Sequence, residues 1–179
     1  MTTTAPTERS TMTGTTTQVY RIFIRATPQA IWDAITKPEW TERFGYGLRD
    51  EYDLRPGGAY RGRANDGMKA MGGIPDVVVD GEVIEADPPR KLVVTWRMAM
   101  DPRLHAEGFT RLTYEIMEGK GGVSRLSVIH DLEKTPGHAA MVAGVLQGPG
   151  EGGGWLWILS DLKSLLESGK PMTTEQTWP

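Results

Sequence analysis

From Arg49 to Asp131, apolar and polar side chains alternate with a period of two, interrupted only by loops rich in glycine and proline. Such alternation marks half-buried strands, because successive side chains of a strand point to opposite faces of its sheet. It predicts strands at 49–54, 58–64, 77–86, 91–99, 109–118 and 123–131. An earlier strand is expected where Tyr20, Ile22 and Ile24 alternate with Arg21, Phe23 and Arg25. The links lack crossover helices, so the sheet should be antiparallel. Parity then places Tyr60, Val79, Val83, Leu92, Val94, Trp96, Leu112, Tyr114, Val128 and His130 on one inner face.

The period changes to that of a helix at both ends of this region. Thr27 is a candidate N-cap with Pro28 at the first helical position, and the helix should run to about Thr36 before Pro38 stops it. Near the C-terminus, Trp155, Ile158, Leu159, Leu162, Leu165 and Leu166 fall on one helical stripe over about 153–168, followed by Gly169 and Pro171. Trp157 lies off that stripe, so it is assigned either to packing under the neighbouring loop or to a homodimer surface. The expected class is α+β: a curved antiparallel sheet of about seven strands around a long C-terminal helix, with short helices after the first strand.

The stretch Gly81–Trp96 reads as two strands turned back across Asp87-Pro-Pro-Arg90, since proline cannot donate to a sheet ladder. Around it, in order, stand Ile24-Arg-Ala-Thr-Pro28, Ile31-Trp32, Thr36-Lys-Pro-Glu-Trp40, Asp53-Leu-Arg-Pro-Gly-Gly58, Arg125-Leu-Ser-Val-Ile-His130 and Gly154-Trp155. Together these resemble the bacterial proteins related to the C-terminal domain of the activator of heat-shock protein 90 ATPase, within the START/Bet v 1-like (SRPBCC) superfamily. The resemblance runs from about Val19 to Pro171 and departs from the pattern in the loops 65–75 and 137–154. It implies a helix-grip fold with a ligand cavity between sheet and helix, bordered by those two loops. The activity it implies is binding of a small lipid-like or polycyclic aromatic molecule. Polyketide cyclase or aromatase chemistry, sequestration of a toxic natural product, and co-chaperone action are the rival readings.

A chain of 179 residues, 39% hydrophobic, suits one domain, read here as residues 18–170. Residues 1–17 hold nine threonines and are expected to be a disordered tail, with a second short tail at 171–179. A net charge of -3 without a Lys/Arg run argues against nucleic-acid binding. Zero cysteines leave no disulfide or thiolate metal site and fit the cytoplasm. No apolar run reaches membrane-spanning length, so neither membrane insertion nor a signal peptide is expected.

For chemistry, His105, His130 and His138 show no metal-ligand spacing, so no metal and no cofactor is expected. No G-x-S-x-G element is present, and the glycine-rich Gly148–Gly154 lacks the context of a phosphate loop, which leaves it as a lid over the cavity. His130 ends a strand on the inner face, either as a hydrogen-bonded core histidine or as a polar anchor for a ligand. Arg61, Arg63 and Glu85 admit a role in polarising a ligand carbonyl or simple rim ion pairs. No acid–base pair stands out and no turnover is implied. The candidate ligand-binding set is Trp40, Tyr60, Trp96, Tyr114, His130 and Trp155, several rings on one face with few charges.

Overall fold

The computed structural model describes residues 17–145 and 153–172. Its strands are β1 (Thr17–Ile24), β2 (Arg49–Tyr52), β3 (Ala59–Arg63), β4 (Val77–Asp87), β5 (Lys91–Met98), β6 (Thr110–Glu118) and β7 (Ser124–Asp131). They form one curved antiparallel sheet in the order β1-β7-β6-β5-β4-β3-β2, so every neighbouring pair except β1–β7 is consecutive in sequence. The Asp87–Arg90 turn closes β4 on β5, with the Arg90 N–H donating to Asp87 O at 2.7 Å and the Arg90 guanidinium holding both Asp87 carboxylate oxygens.

The helices are α1 (Pro28–Thr36), α2 (Pro38–Thr41), α3 (Asp66–Ala70), α4 (Pro102–Glu107), α5 (Pro136–Val142) and α6 (Gly154–Ser168). Thr27 caps α1 as the sequence predicts, its Oγ1 accepting from the Ala30 N–H. Pro38 ends α1 but also opens α2, because a proline fits the first turn of a helix where no N–H partner is required. Three short helices lie where loops are expected. α3 is nucleated by Asn65, whose side chain accepts from Met68 N–H; α4 by Asp101, which accepts from Arg103 N–H; and α5 by Pro136 at its first position. The supposed lid at 137–154 therefore begins as a helix. Its glycine-rich part, 146–152, lies outside the described residues, as do most of the two proposed tails. Thr17, assigned to the N-terminal tail, begins β1.

α6 buries Trp155, Leu159, Leu162 and Leu165 against the inner face of the sheet, and its far side carries the exposed Leu156 and Ser160. Of the two places open to Trp157, the structure shows the packed one: it is buried, folded back over Gly153 of the neighbouring loop, where a Cβ would come within 2.4 Å of the tryptophan's own Cβ. It therefore supplies no self-association surface. Asp161 sits on the buried side of α6, 1% exposed, and its carboxylate accepts the backbone N–H of Gly45 at 2.7 Å and of Met172. The helix also covers the free edge of β1. Lys163 Nζ donates to Phe23 O, and Glu167 accepts from the Arg25 N–H at 2.7 Å.

Leu162→Ala should cost about 2–5 kcal/mol, because a fully buried side chain is removed from the centre of the stripe. Leu156→Ala, at a site 61% exposed, should stay within about 0.5 kcal/mol of the parent. Urea denaturation compares them, and equal losses would mean that α6 is rotated. By the same assay Asp161→Ala should cost about 2–4 kcal/mol, since two backbone N–H groups lose their acceptor.

Candidate functional site

The inner face of the sheet carries two polar clusters of opposite character. The first is closed and fully satisfied. His130, at the end of β7, is wholly buried. Thr110 Oγ1 donates to Trp96 O at 2.8 Å, so toward His130 Nε2, also at 2.8 Å, the hydroxyl oxygen is the acceptor. On the other side of the ring, Trp155 Nε1–H donates to His130 Nδ1 at 3.2 Å. The two bonds together fix a neutral imidazole with its proton on Nε2. Burial, then the neighbouring His138, pushes its pKa down to about 3. With both nitrogens engaged, His130 has no free lone pair for a ligand or for base catalysis.

His138 extends this cluster from α5. Its Nε2 accepts the Met98 N–H at 3.2 Å, which leaves Nδ1 to donate to Glu107 Oε2 at 2.8 Å. Burial pushes His138 down, against an opposing pull from Glu107. Burial alone would raise Glu107, but the N–H groups of His138 and Gly137 and the His138 ring outweigh it and hold the carboxylate below its usual range. Trp96 lies edge-on between the two imidazoles, at 5.3 and 5.6 Å between ring centroids. The Glu107–His138 pair thus ties α5 to α4 and β5, and both of its imidazole nitrogens are likewise taken.

The second cluster lies at the β2–β3 end. Arg49 and Glu51 point outward into ion pairs with Glu42 and Arg63, so parity turns Asp50 and Tyr52 inward. Tyr52 pairs with Tyr60 across the β2–β3 ladder, and their rings stack at 4.4 Å with 2° between planes. The Tyr60 hydroxyl donates to Asp50 Oδ1 at 3.3 Å. Asp50 faces Gly62 across the ladder, and a Cβ at Gly62 would stand 2.9 Å from Asp50 Oδ1. The curl of the sheet also brings Tyr114 of β6 within electrostatic range of Asp50. Among the described residues no cation pairs with this carboxyl, and its sole side-chain hydrogen bond is the long one from Tyr60. Burial raises its pKa to about 7, with the Tyr60 bond pulling weakly the other way. Asp50 and Tyr52 nonetheless remain only half-buried, so the cluster is within reach of solvent.

Of the six candidates from sequence, Trp96, Tyr114, His130 and Trp155 meet in one aromatic group; Tyr114 and Trp155 stand 6.0 Å apart, as do His130 and Trp155. Tyr60 belongs to the Asp50 cluster, which Tyr114 connects to the aromatic group. Trp40 stands apart on α2, half-buried under the guanidinium of Arg43 at 4.7 Å. His130 pairs with Thr110 and Trp155, not with Tyr60 or Tyr114 as an acid–base reading would need. Arg63 is bound to Glu51 and Asp76, Glu85 to Lys91, and Arg61 to backbone carbonyls. Sequence reasoning missed Asp50, Tyr52, His138 and Glu107. For Asp50 a signal existed: it shares the parity of Tyr52 on a strand whose other two residues, Arg49 and Glu51, are charged.

The Asp50 carboxyl keeps its proton in the folded state up to about pH 7, against an ordinary pKa of 3.8. Between those values the native state binds more protons than the unfolded chain, so this group's contribution to stability is lost as pH rises. His130 and His138, both depressed, act in the opposite sense and lose stability as pH falls below about 6.5. Asp50→Asn removes only the first effect. Its stability relative to the parent should therefore increase progressively from about pH 4 to about pH 8. Urea denaturation at several pH values reads this; a constant difference would mean that the carboxyl titrates normally.

Residues 25–167 match the model of the family described as Activator of Hsp90 ATPase homolog 1-like protein. No curated protein matches the chain. Among solved structures, the solution structure of CalU16 from Micromonospora echinospora aligns with a TM-score of 0.61 and 20% identity, over 89% of this chain and 70% of that one. MLL2253 from Mesorhizobium loti aligns at 0.60 and 19% identity, over 84% and 96%. DynU16, a putative protein in the dynemicin biosynthetic locus, aligns at 0.57 and 18% identity, over 90% of this chain but only 49% of its own. Against the crystal structure of CalU16 the chain likewise spans only 59% of the relative's length. These likenesses carry the helix-grip fold, and the family model spans most of the chain, from just after β1 to the last turn of α6: the protein belongs to the Activator of Hsp90 ATPase homolog 1-like family.

Proposed function

We propose that the protein binds a small, largely apolar molecule on the inner face of its sheet, between β2–β3 and α6, without transforming it. The observation that carries this reading is the contrast between the two clusters. At the α5–α6 end His130 and His138 have both ring nitrogens engaged by the chain itself. At the β2–β3 end, stacked tyrosines and a carboxyl without a cation face inward and stay within reach of solvent. A wall of aromatic rings with a few convergent polar groups is the usual make-up of a small-molecule site. The extensive contacts of α6 are with β1, α1 and α5, and none of that extent is with β2 or β3.

Turnover finds less support. Both histidines of the inner face have their nitrogens occupied, so an imidazole-driven cyclisation of a reactive poly-ketone has no base to use. Among the described residues no group of three metal-ligating side chains occurs either. The setting of DynU16 in a biosynthetic locus belongs to that protein; carried here, it is in keeping with a natural product as ligand and with sequestration as the purpose. Among the described residues no helix is long and apolar enough to cross a membrane. A cytoplasmic location remains part of the proposal.

Native mass spectrometry of the purified protein should show a retained small molecule. After its removal, the uncharged fluorescent probe N-phenyl-1-naphthylamine should bind with a stoichiometry of one. Tyr52→Ala takes away one half of the stacked wall without touching a fully buried residue, and should weaken the probe by roughly fivefold or more. Leu156→Ala, on the exposed side of α6, should leave probe binding unchanged. No retained molecule together with no saturable probe binding overturns the reading.

A further inference from the structure

The Asp50 cluster says something about the ligand's polar end. The Tyr60 hydroxyl donates to Asp50 Oδ1 at 3.3 Å, so its proton is committed to the carboxyl. Once ionised, Asp50 still offers acceptor capacity: its second oxygen and the remaining lone pairs of the first. A ligand group that donates fits there.

Charge narrows the choice further. His130 and His138 have both ring nitrogens engaged, whereas this carboxyl has no cation among the described residues. The groups facing it are Tyr52 from its own strand, Tyr60 from β3 and Tyr114 from β6. From α2 it meets Thr41, whose Oγ1 accepts the Asp50 N–H at 2.9 Å; neither α1 nor α2, both packed against β2, brings a compensating charge. A single carboxyl among phenols lacks the ligand set of a divalent metal. An ammonium group, by contrast, supplies both the missing donors and the missing charge, and electron-rich phenol rings favour a cation beside them.

We propose that this site takes an apolar molecule bearing a protonated amine, with the Asp50 carboxylate as counter-ion and the phenols of Tyr60 and Tyr114 beside it. The proposal rests on the ligand-binding reading of the preceding subsection and adds the chemical class of the ligand. Because the free carboxyl holds its proton to about pH 7, the site should discriminate poorly in acid and strongly in mild base. Binding of a cation near neutrality should displace that proton.

The test uses two probes of the same shape, 1-naphthylmethylamine, protonated throughout the range used, and 1-naphthalenemethanol, measured by isothermal titration calorimetry on the full chain. At about pH 8 the amine should bind at least about tenfold tighter than the alcohol, the discrimination expected of a charge-assisted pair. The preference should shrink at about pH 5.5, where Asp50 is protonated. Near neutrality, titrations in buffers of different ionisation enthalpy should show proton release with the amine and none with the alcohol. Asp50→Asn should abolish the preference for the amine and the proton release. Tyr60→Phe, which keeps the stack but removes the donor to the carboxyl, should move the pH at which the preference appears upward. If both probes bind equally at every pH and Asp50→Asn changes nothing, the amine proposal fails while ligand binding stands. If neither probe binds, both readings fall. If Asp50→Asn does not fold, the pH dependence and proton release of the parent, with Tyr60→Phe, decide the matter alone.

Discussion

Burial of the α6 stripe against one side of a curved sheet is the constraint on which the rest of the molecule depends. Leu159, Leu162 and Leu165 together remove enough apolar surface from water to hold a 15-residue helix that would be marginal alone. The same packing sets the helix's rotation, which brings the indole N–H of Trp155 onto His130 and the Asp161 carboxylate onto the Gly45 and Met172 amides. Further along, Lys163 and Glu167 satisfy backbone groups on the edge of β1 that a bare edge strand would present to other chains. The helix is therefore held at both ends and along one side by bonds that only this rotation satisfies. An antiparallel sheet that curls away from a helix so fixed leaves its far strands, β2 and β3, uncovered by it.

The two polar clusters show how burial sorts titratable groups by whether their partners come from within. His130 and His138 are the more deeply buried, yet each has both nitrogens engaged, so their low pKa values record satisfied neutral rings and not poised catalysts. Asp50 is less buried and far less satisfied. A perturbed carboxyl with one long hydrogen bond and no counter-ion is a net cost to the folded state, and such a cost is retained where something other than the chain itself completes the site. Depth of burial alone would have ranked the three groups in the wrong order.

Much of the architecture was legible because the relevant signals are local. Period-two alternation, Thr27 before Pro28, the Asp87–Arg90 turn and the α6 stripe each depend on a few consecutive residues, and each holds in the structure. The short helices α3, α4 and α5 were not legible, since Asn65, Asp101 and Pro136 cap or open them within segments whose glycines and prolines read equally well as loop. Trp157 was left between two alternatives for a related reason: its place depends on Gly153 leaving room behind it, a contact at the helix's first turn that a stripe projected over the whole helix does not register. In the site, parity correctly placed Tyr60, Trp96, Tyr114 and His130 on one face. What parity cannot supply is partnership. That His130 is closed off by Thr110 and Trp155, and that Asp50 meets Tyr60 and Tyr114, depends on how strands six residues to sixty residues apart curl toward one another.

Membership of a family fixes the scaffold more firmly than the ligand, and the β2–β3 ladder shows where the freedom lies. Asp50 is turned inward opposite Gly62, where a Cβ would stand 2.9 Å from Asp50 Oδ1 and 3.2 Å from the Val79 Cβ. The adjoining β3–β4 ladder shifts register between Gly62 and Arg63, and such an irregularity re-aims neighbouring side chains without altering the order of the strands. One glycine, one carboxyl and two stacked phenols thus define the polar end of the proposed site. A different residue at either position 50 or 62 would leave α6, the aromatic group and the His130 network intact and yet present another chemistry to whatever enters. Within this fold, the chemistry of the proposed site is therefore set by the short strands β2 and β3, not by the long central ones that hold the core together.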